Sequence, residues 1–295
     1  MGSWRPDSLL PGFEALELAL PDDYEGAGVA TLVRLPAGNA PRGPVLYVHG
    51  FSDYFFQRHM AERFAAEGYA FHALDLRRCG RSLRPGQHPH FSRDLREHYV
   101  ELDAALQAIG APVLLAGHSA GGLLCPLYAH EGARREAIRA LWLNSPFFAW
   151  SMPNAWWRFK LHLAEQIGRV FPYLANHKAL HPGYTRGLRA EWEFDTHLKP
   201  LDGFPVYYGW VRAVCQAQRR VHQGLDLAIP VLAMHSDEAD VVLDWRSIAR
   251  CSRTLGPRVT VLQFPGAVHD LVLSTAGIRE AVFSALFSWA ERALA

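Results

Sequence analysis

One serine of the sequence lies in a pentapeptide that is typical of nucleophilic catalysis. Residues 117–121 read GHSAG, and they directly follow an apolar run at residues 112–116. A strand followed by G-x-S-x-G predicts a tight strand-to-helix turn, in which small flanking residues leave room for a strained serine backbone and lift the hydroxyl above the sheet. The pattern predicts Ser119 as a nucleophile. The alternative is an idle serine in a glycine-rich turn.

A serine hydroxyl needs a general base, and the base needs a carboxylate that orients it. The predicted base is His269, which comes shortly after an apolar run at residues 259–264. The predicted acid is Asp240, in the loop after residues 231–234, because an apolar stretch follows it as if the loop were returning to the core. Asp237 is the runner-up for this position.

Acyl transfer also needs two backbone amides that point at the developing oxyanion. One is predicted at Ala120, directly after the serine. The other is predicted at Phe51, because His49 and Gly50 follow an apolar strand and precede it. A plain turn at Gly50 is the alternative.

Alternating strand and helix patterns must position these residues. The predicted strands occupy residues 14–20, 29–35, 45–48, 70–74, 112–116, 140–143, 230–234 and 259–264. The first two are predicted to form a hairpin, and apolar residues at helical spacing follow several of the others. One predicted helix is capped by Ser92 and ends at Gly110. The alternation predicts an α/β protein with a mostly parallel sheet of about eight strands flanked by helices.

Residues 146–225 break this rhythm and are rich in Trp, Tyr, His and Pro. We interpret them as a helical lid inserted into a core made of residues 1–145 and 226–295. So many aromatic residues in one stretch are expected to bury an apolar group. The predicted substrate-binding residues are Trp150, Trp157, Tyr207 and Trp210.

Composition and charge exclude several classes of protein. The 30 basic and 29 acidic residues nearly cancel, so no electrostatic signature for nucleic acid is present. The four cysteines are widely spaced and form no zinc or disulfide pattern. The N-terminal residues contain no apolar run typical of a signal peptide, and no stretch is apolar enough for a membrane span. We therefore expect a cytoplasmic protein without an integral membrane segment.

Taken together, these motifs resemble the α/β-hydrolase superfamily, and most closely its lysophospholipase and monoacylglycerol lipase branch, which also holds serine aminopeptidase-like proteins. The matching segments are residues 48–51, 74–82, 117–122, 234–240 and 267–270, in the family's order. Two segments depart from the branch. Arg78 and Cys79 stand where it usually has Gly-x, and Ser236 replaces a glycine of its acid loop, with Asp240 one place later.

The resemblance implies a serine hydrolase that cleaves carboxylic esters through an acyl-enzyme, with Ser119, Asp240 and His269 as its triad. The expected substrate is a small ester with an apolar acyl or aryl group, as for an esterase, monoacylglycerol lipase or lysophospholipase. No metal and no organic cofactor is expected, and a homodimer is left open.

Two other functions are compatible with the sequence. A peptidase of the proline-iminopeptidase type would need an acidic pocket for a substrate amine. The insertion offers Glu165, Glu191, Glu193 and Asp195 for that purpose. A hydrolase-fold protein that binds without catalysis is the third hypothesis, although such proteins usually lack one member of the triad.

Overall fold

The computed structural model describes residues 2–36, 38, 40–151, 154–177 and 182–294. Its strands are β1 Arg5–Pro6, β2 Glu14–Asp23, β3 Gly26–Arg34, β4 Pro44–Val48, β5 Ala70–Asp75, β6 Val113–His118, β7 Ile138–Asn144, β8 Ala175–Asn176, β9 Val206–Tyr207, β10 Val231–His235 and β11 Val259–Gln263. Its α-helices are α1 Arg58–Ala66, α2 Tyr99–Ile109, α3 Ala120–Glu131, α4 Ala155–Val170, α5 Pro182–Glu191, α6 Tyr208–His222, α7 Trp245–Ser252 and α8 Ala276–Leu294. Short 3-10 helices lie at Gly80–Ser82, Leu95–His98, Arg135–Ala137 and Leu271–Leu273.

The central sheet has the strand order β1-β2-β3-β5-β4-β6-β7-β10-β11. Strands β4, β5, β6, β7, β10 and β11 run parallel, whereas β2 and β3 form the predicted antiparallel hairpin at one end. This order confirms the predicted mostly parallel sheet. It also places the carboxyl ends of β4, β6, β10 and β11 at one edge, where the loops after them can meet.

The parallel strands are buried on both faces, so their sequences are almost continuously apolar. Along β4, Val45 and Tyr47 face the apolar layer under α1 and α8, while Leu46 and Val48 face the layer under α2, α3, α6 and α7. The alternation follows from the two-residue period of a strand. Burying side chains on both faces fixes the register of the sheet, since a slip of one residue would exchange the layers.

In the predicted insertion, helix α4 packs against α6, and α6 in turn packs on α3. The inward face of α6, which includes Val214 and Val221, joins the same apolar layer as the core strands. The division into a core of residues 1–145 and 226–295 and an insertion of residues 146–225 stays a prediction. Within the described ranges, no helix has the length and apolar character that crossing a membrane requires.

The predicted cap at Ser92 is wrong. The Asp94 side chain caps instead, accepting the backbone N–H of Arg96 at 2.9 Å at the start of a 3-10 turn, and α2 begins only at Tyr99. An aspartate offers the same kind of acceptor oxygen as a serine, so the two residues compete for one role. The predicted end at Gly110 is confirmed by its left-handed φ of 72°.

Candidate active site

Ser119 lies on a sharp turn between β6 and α3. Its φ of 50° and ψ of −114° are unfavourable for a residue with a side chain. The turn is held by the Ser119 backbone, whose N–H donates to the Asn144 carbonyl at 3.0 Å and whose carbonyl accepts from Phe147 N–H at 2.9 Å. The flanking glycines are sterically required. A Cβ on Gly117 would lie 2.5 Å from the carbonyl oxygen of Gly121.

The turn brings the three predicted polar residues into one row. Ser119 Oγ lies 3.0 Å from His269 Nε2, and His269 Nδ1 lies 2.9 Å from Asp240 Oδ2. A carboxylate only accepts hydrogen bonds, so Nδ1 carries the proton and Nε2 is free to accept from the serine hydroxyl. His269 and Asp240 follow β11 and β10, and both are buried. The arrangement can deprotonate the serine and hold the resulting imidazolium.

Asp240 is charged at neutral pH despite its burial. Burial alone would raise the pKa of this carboxyl, but attraction to His269 and the hydrogen bond from it outweigh that effect and lower the pKa below its usual value. The other carboxylate oxygen accepts the backbone N–H groups of Val242 and Leu243, at 2.8 and 3.1 Å. These bonds fix the orientation of the carboxylate that faces the histidine.

Two other acidic residues of the loop after β10 make different contacts. Asp237 accepts the backbone N–H groups of Ala239 and Gly266, both at 3.0 Å, and so joins the loop after β10 to the loop after β11. Asp244 caps α7 through the N–H of Arg246. Neither carboxylate bonds to His269, so the geometry favours Asp240 over the runner-up Asp237.

The two predicted oxyanion amides belong to segments that adjoin Ser119. Ala120 is the first residue of α3, where helix geometry leaves the N–H without an intrahelical acceptor. Phe51 follows Gly50 in the loop after β4, and a Cβ on Gly50 would lie 3.0 Å from Ser119 Cβ. Within the part of the chain that the structure describes, neither amide donates a hydrogen bond. Both remain available to an oxygen bound at Ser119.

The ring of Phe51 belongs to a group of aromatic rings that pack together. The rings of Phe51 and Trp210 are 4.1 Å apart, and Phe147 lies 4.7 Å from Trp150, which is itself 6.1 Å from Trp210. We call Phe51, Phe147, Trp150 and Trp210 the aromatic cluster. Two of the four predicted substrate-binding residues, Trp150 and Trp210, therefore belong to this cluster.

The other two predicted substrate-binding residues lie elsewhere. Tyr207 packs against His88 and Phe91, with ring centres 5.3 and 5.5 Å away. Trp157 is near the start of α4, 47% exposed, with the ammonium of Lys160 4.7 Å from its ring centre. The structure does not bring either ring into the aromatic cluster.

The sequence interpretation missed a second buried polar group, centred on Asp270. This carboxylate accepts from Asn144 Nδ2 at 2.7 Å and from Gln57 Nε2 at 3.2 Å. Burial opposes its charge, but nearby His118 and these hydrogen bonds lower the pKa of Asp270 below its ordinary value. The group fixes the residue directly after His269. An acidic residue within an otherwise apolar segment, next to the predicted base, was the available signal.

Residues of the predicted insertion reach the same place through Tyr184 of α5. Its hydroxyl accepts the backbone N–H of Asp270 at 2.9 Å, and its ring stands edge-on to His269 with centres 5.8 Å apart. No sequence motif marks this tyrosine. Among the described residues, no cluster of three or more His, Cys, Asp or Glu side chains could hold a metal ion.

A family model named Hydrolase_4 and described as serine aminopeptidase, S33, matches residues 39–275, which is most of the chain. The chain belongs to the Hydrolase_4 family. The monoglyceride lipase of Saccharomyces cerevisiae is 35% identical over 107 residues, covering 34% of this chain and 34% of the relative. The monoacylglycerol lipase of Mycolicibacterium smegmatis is 40% identical over 113 residues, covering 36% and 38%. The matched part thus spans little more than a third of either relative's length.

Structural similarity extends over nearly all of this Hydrolase_4 protein. The crystal structure of a soluble variant of monoglyceride lipase from Saccharomyces cerevisiae, in complex with a substrate analog, superposes with a TM-score of 0.75. The match covers 94% of this chain and 96% of the other at 20% identity, so it supports the fold alone. The predicted α/β-hydrolase fold and the resemblance to the monoacylglycerol lipase branch are both confirmed.

Proposed function

We propose that the protein is a serine hydrolase of the monoacylglycerol lipase type, which cleaves carboxylic esters with an apolar acyl or aryl group. One observation carries the proposal. The hydrogen-bonded row of Ser119, His269 and Asp240 ends beside two unpaired amides, at Phe51 and Ala120. Nucleophile, base, orienting acid and oxyanion donors are the complete set that acyl transfer needs.

In the proposed mechanism, Ser119 Oγ attacks the ester carbonyl carbon while its proton passes to His269 Nε2. Asp240 stabilises the imidazolium through the Nδ1–H and remains ionised. The carbonyl oxygen becomes an oxyanion that accepts from the amides of Phe51 and Ala120. When the tetrahedral intermediate collapses, His269 returns the proton to the leaving alcohol.

The acyl-enzyme is then hydrolysed by the same groups. Water loses a proton to His269 Nε2 and attacks the acyl carbon, and the second oxyanion occupies the same two amides. The proton finally returns to Ser119 as the carboxylic acid leaves. No group beyond these side chains and the two amides is needed for the proton transfers.

We place the apolar part of the ester beside the aromatic cluster. Phe147 and Trp210 are buried, Phe51 and Trp150 are partly buried, and Phe51 carries one of the proposed oxyanion amides. A group held at Ser119 therefore has apolar surface next to it on that side. Since Phe147, Trp150 and Trp210 lie between residues 146 and 225, we also propose that this segment is the lid.

The family description suggests a second candidate, an aminopeptidase that takes short N-terminal residues. It would need an unpaired carboxylate near Ser119 to hold the substrate ammonium. Among the four acidic residues considered for that role, Glu165 pairs with Arg219 at 2.6 Å, and Glu191 and Glu193 are exposed. Asp195 accepts the N–H of His197 and is linked to Tyr54 only through its own amide. These contacts favour an ester over an aminoacyl substrate.

The third candidate, binding without catalysis, would require that one contact in the row of Ser119, His269 and Asp240 be missing. Neither distance in it exceeds 3.0 Å, and the tautomer that Asp240 enforces is the reactive one. Labelling with a fluorophosphonate distinguishes a serine hydrolase from a binding protein, because only an activated serine reacts. We expect a single labelled site, at Ser119, identified by mass spectrometry of the peptide.

The substrate class is tested with a panel of p-nitrophenyl esters of increasing acyl length, measured beside 1-monoacylglycerols and aminoacyl-p-nitroanilides. We expect ester hydrolysis that improves with acyl length and negligible anilide cleavage. Faster cleavage of an anilide than of every ester would instead favour the aminopeptidase. Absence of both labelling and turnover would favour the binding protein.

Cytoplasmic location remains a prediction, supported by four free cysteines that are all buried. Burial raises the pKa of each of these thiols and keeps them protonated. Cell fractionation with an antibody against the native protein tests the location. Light scattering after size exclusion tests whether the protein is a monomer or a homodimer.

A further inference from the structure

A buried ion pair ties the loop after β4 to the predicted insertion. Lys199 Nζ lies 2.6 Å from Asp53 Oδ1, and the two side chains are only 7% and 4% exposed. The ammonium also lies 5.5 and 5.9 Å from the ring centres of Phe56 and Phe194. A buried ion that loses its partner is strongly destabilised, so the two residues hold each other in place.

Hydrogen bonds on either side of Asp53 repeat this connection. The hydroxyl of Ser52 accepts the backbone N–H of Phe204 at 3.0 Å, and the hydroxyl of Tyr54 accepts the N–H of Asp195 at 2.8 Å. In the part of the chain that the structure describes, all side-chain hydrogen bonds of residues 52–54 go to residues 195–204. The insertion therefore holds three consecutive residues of this loop.

These contacts begin directly after Phe51, whose amide is a proposed oxyanion donor. Ser52 has a φ of 53°, a left-handed conformation that a residue with a side chain keeps only when its surroundings impose it. The core fixes both ends of the loop. Before Phe51, His49 Nδ1 donates to the Gly50 carbonyl at 2.7 Å and its Nε2 accepts the Leu76 N–H at 3.2 Å, and beyond Tyr54 the Phe55 N–H donates to Asp75 at 2.8 Å. Between these two ends, the side chains of residues 52–54 bond to the insertion, so the path of the chain directly after Phe51 depends on those contacts.

We propose that Lys199 is a positioning residue, which acts through Asp53 to hold the Phe51 amide where it faces the oxyanion at Ser119. The inference rests on the proposed ester hydrolysis and adds to it a dependence of the oxyanion hole on the insertion. It also explains why a lysine is buried at this position. Its charge is neutralised by Asp53, and its length spans the gap between the insertion and the loop.

The test compares Lys199→Met with Arg186→Met. Both changes remove a cation of the insertion from an ion pair, but the pair of Arg186 with Asp202 is exposed and lies 2.7 Å apart. A third variant, Lys199→Gln with Asp53→Asn, keeps a neutral hydrogen bond and leaves no lone buried charge, so it is expected to fold even if Lys199→Met is unstable. Thermal unfolding establishes the folded fraction of each.

The kinetic readout must separate oxyanion stabilisation from general damage. A trifluoromethyl ketone with the acyl chain of the best ester accepts Ser119 Oγ at its carbonyl carbon. The serine proton passes to His269, and the ketone oxygen becomes the oxyanion. The corresponding secondary alcohol occupies the same pocket but forms no oxyanion. The ratio of the two inhibition constants therefore reports on the Phe51 and Ala120 amides.

We expect Lys199→Met to lower kcat by about 10- to 100-fold with little change in KM, because outright loss of an oxyanion donor costs about 10² to 10³. The ketone should weaken by a similar factor and the alcohol should not. The double variant should recover part of kcat, and Arg186→Met should match the wild type. The proposal is overturned if Lys199→Met keeps kcat within about twofold, or if both inhibitors weaken equally. A wild-type protein without ester hydrolysis would instead contradict the proposed function.

Discussion

Two regions of the molecule meet at Ser119, and they are built differently. The loops after β4, β6, β10 and β11 place paired, buried polar groups, in which Asp240 and Asp270 each accept several hydrogen bonds. The segment of residues 146–225 contributes mainly aromatic rings, and these rings differ in their burial. Trp210 is buried against Phe51, whereas Trp156 on α4 is 58% exposed.

Exposed apolar side chains follow a regular pattern along α4. Trp156, Phe159, Leu163 and Val170 recur at spacings of three, four and seven residues, all on the side away from α6. Their helical period places them on one face, opposite the face that packs inward. The aromatic residues of this segment are therefore not one group: the aromatic cluster adjoins the proposed site, whereas the exposed rings of α4 lie apart from it.

The largest effect should come from the nucleophile itself. Ser119→Ala should reduce ester hydrolysis by about a millionfold, because the triad nucleophile cannot be replaced. The turn should persist, since its hydrogen bonds to Asn144 and Phe147 are made by the backbone. Ser145→Ala is the matched control, because Ser145 is also buried with a positive φ of 46°. Comparable losses in both variants would show that the assay reports on folding and not on chemistry.

The acid loop provides the next largest contrast. Asp240→Asn should lower kcat by about 10⁴, because an amide beside Nδ1 favours the wrong histidine tautomer, as in the serine-protease case on which this magnitude rests. Asp237→Asn changes the same group three residues earlier, where the carboxylate bonds only to backbone N–H groups and to Ser236. It should retain most activity. A larger loss in Asp237→Asn than in Asp240→Asn would refute the assignment of the acid.

The central sheet and the segment of residues 146–225 also differ in the burial of their histidines. Burial lowers the pKa of His72, on β5, to about 4, whereas His162 on α4 is exposed. The unfolded chain therefore takes up this proton first as the pH falls from about 6.5, and the stability that neutral His72 contributes is lost between pH 6.5 and 4, up to about 3 kcal/mol. Above pH 6.5 the contribution is complete.

His72→Gln should remove the contribution of His72 to the pH dependence of the free energy of unfolding. That free energy should therefore fall less steeply between pH 6.5 and 4 than in the wild type. His162→Gln should leave the slope unchanged. Urea denaturation at half-unit pH intervals measures both. Equal slopes for His72→Gln and the wild type would mean that His72 is not kept neutral by the fold.

Much of the proposed site could be predicted from the sequence, because its residues directly follow strands of the sheet. Ser119, Asp240 and His269 each come shortly after a strand, and the carboxyl ends of parallel strands lie at one edge. A local pattern therefore implied a location in space. The strands themselves were recognisable because burial on both faces requires apolar runs.

No such rule applies to the side chains of residues 146–225. Trp150, Trp157 and Trp210 were equivalent by composition, and only helix packing separates the buried Trp210 from the exposed Trp157. Tyr184 contacts His269 from α5, and Lys199 contacts Asp53 from an irregular connection. In such segments, distance along the sequence says little about distance in space. Ser92 was predicted to cap a helix, but Asp94 makes the cap. Both side chains offer a suitable oxygen, and only the local backbone decides between them.

The smallest predicted effect tests the division of the aromatic residues most directly. Each methylene that enters an apolar pocket should add up to about 0.8 kcal/mol, or roughly fourfold in kcat/KM, until the pocket is full. Trp210 adjoins Phe51, so Trp210→Leu should flatten the rise in kcat/KM with acyl length while acetate is still hydrolysed. Trp157→Leu changes a ring of the same type in the same segment, but on an exposed part of α4. It should leave the rise intact. The quantity to compare is the slope of kcat/KM against acyl length. Trp210→Leu also disturbs the loop after β4 and will lower kcat for every ester equally, which leaves this slope unaffected. If Trp157→Leu flattens the slope and Trp210→Leu does not, the acyl group lies against α4, and the aromatic cluster only supports the loop after β4.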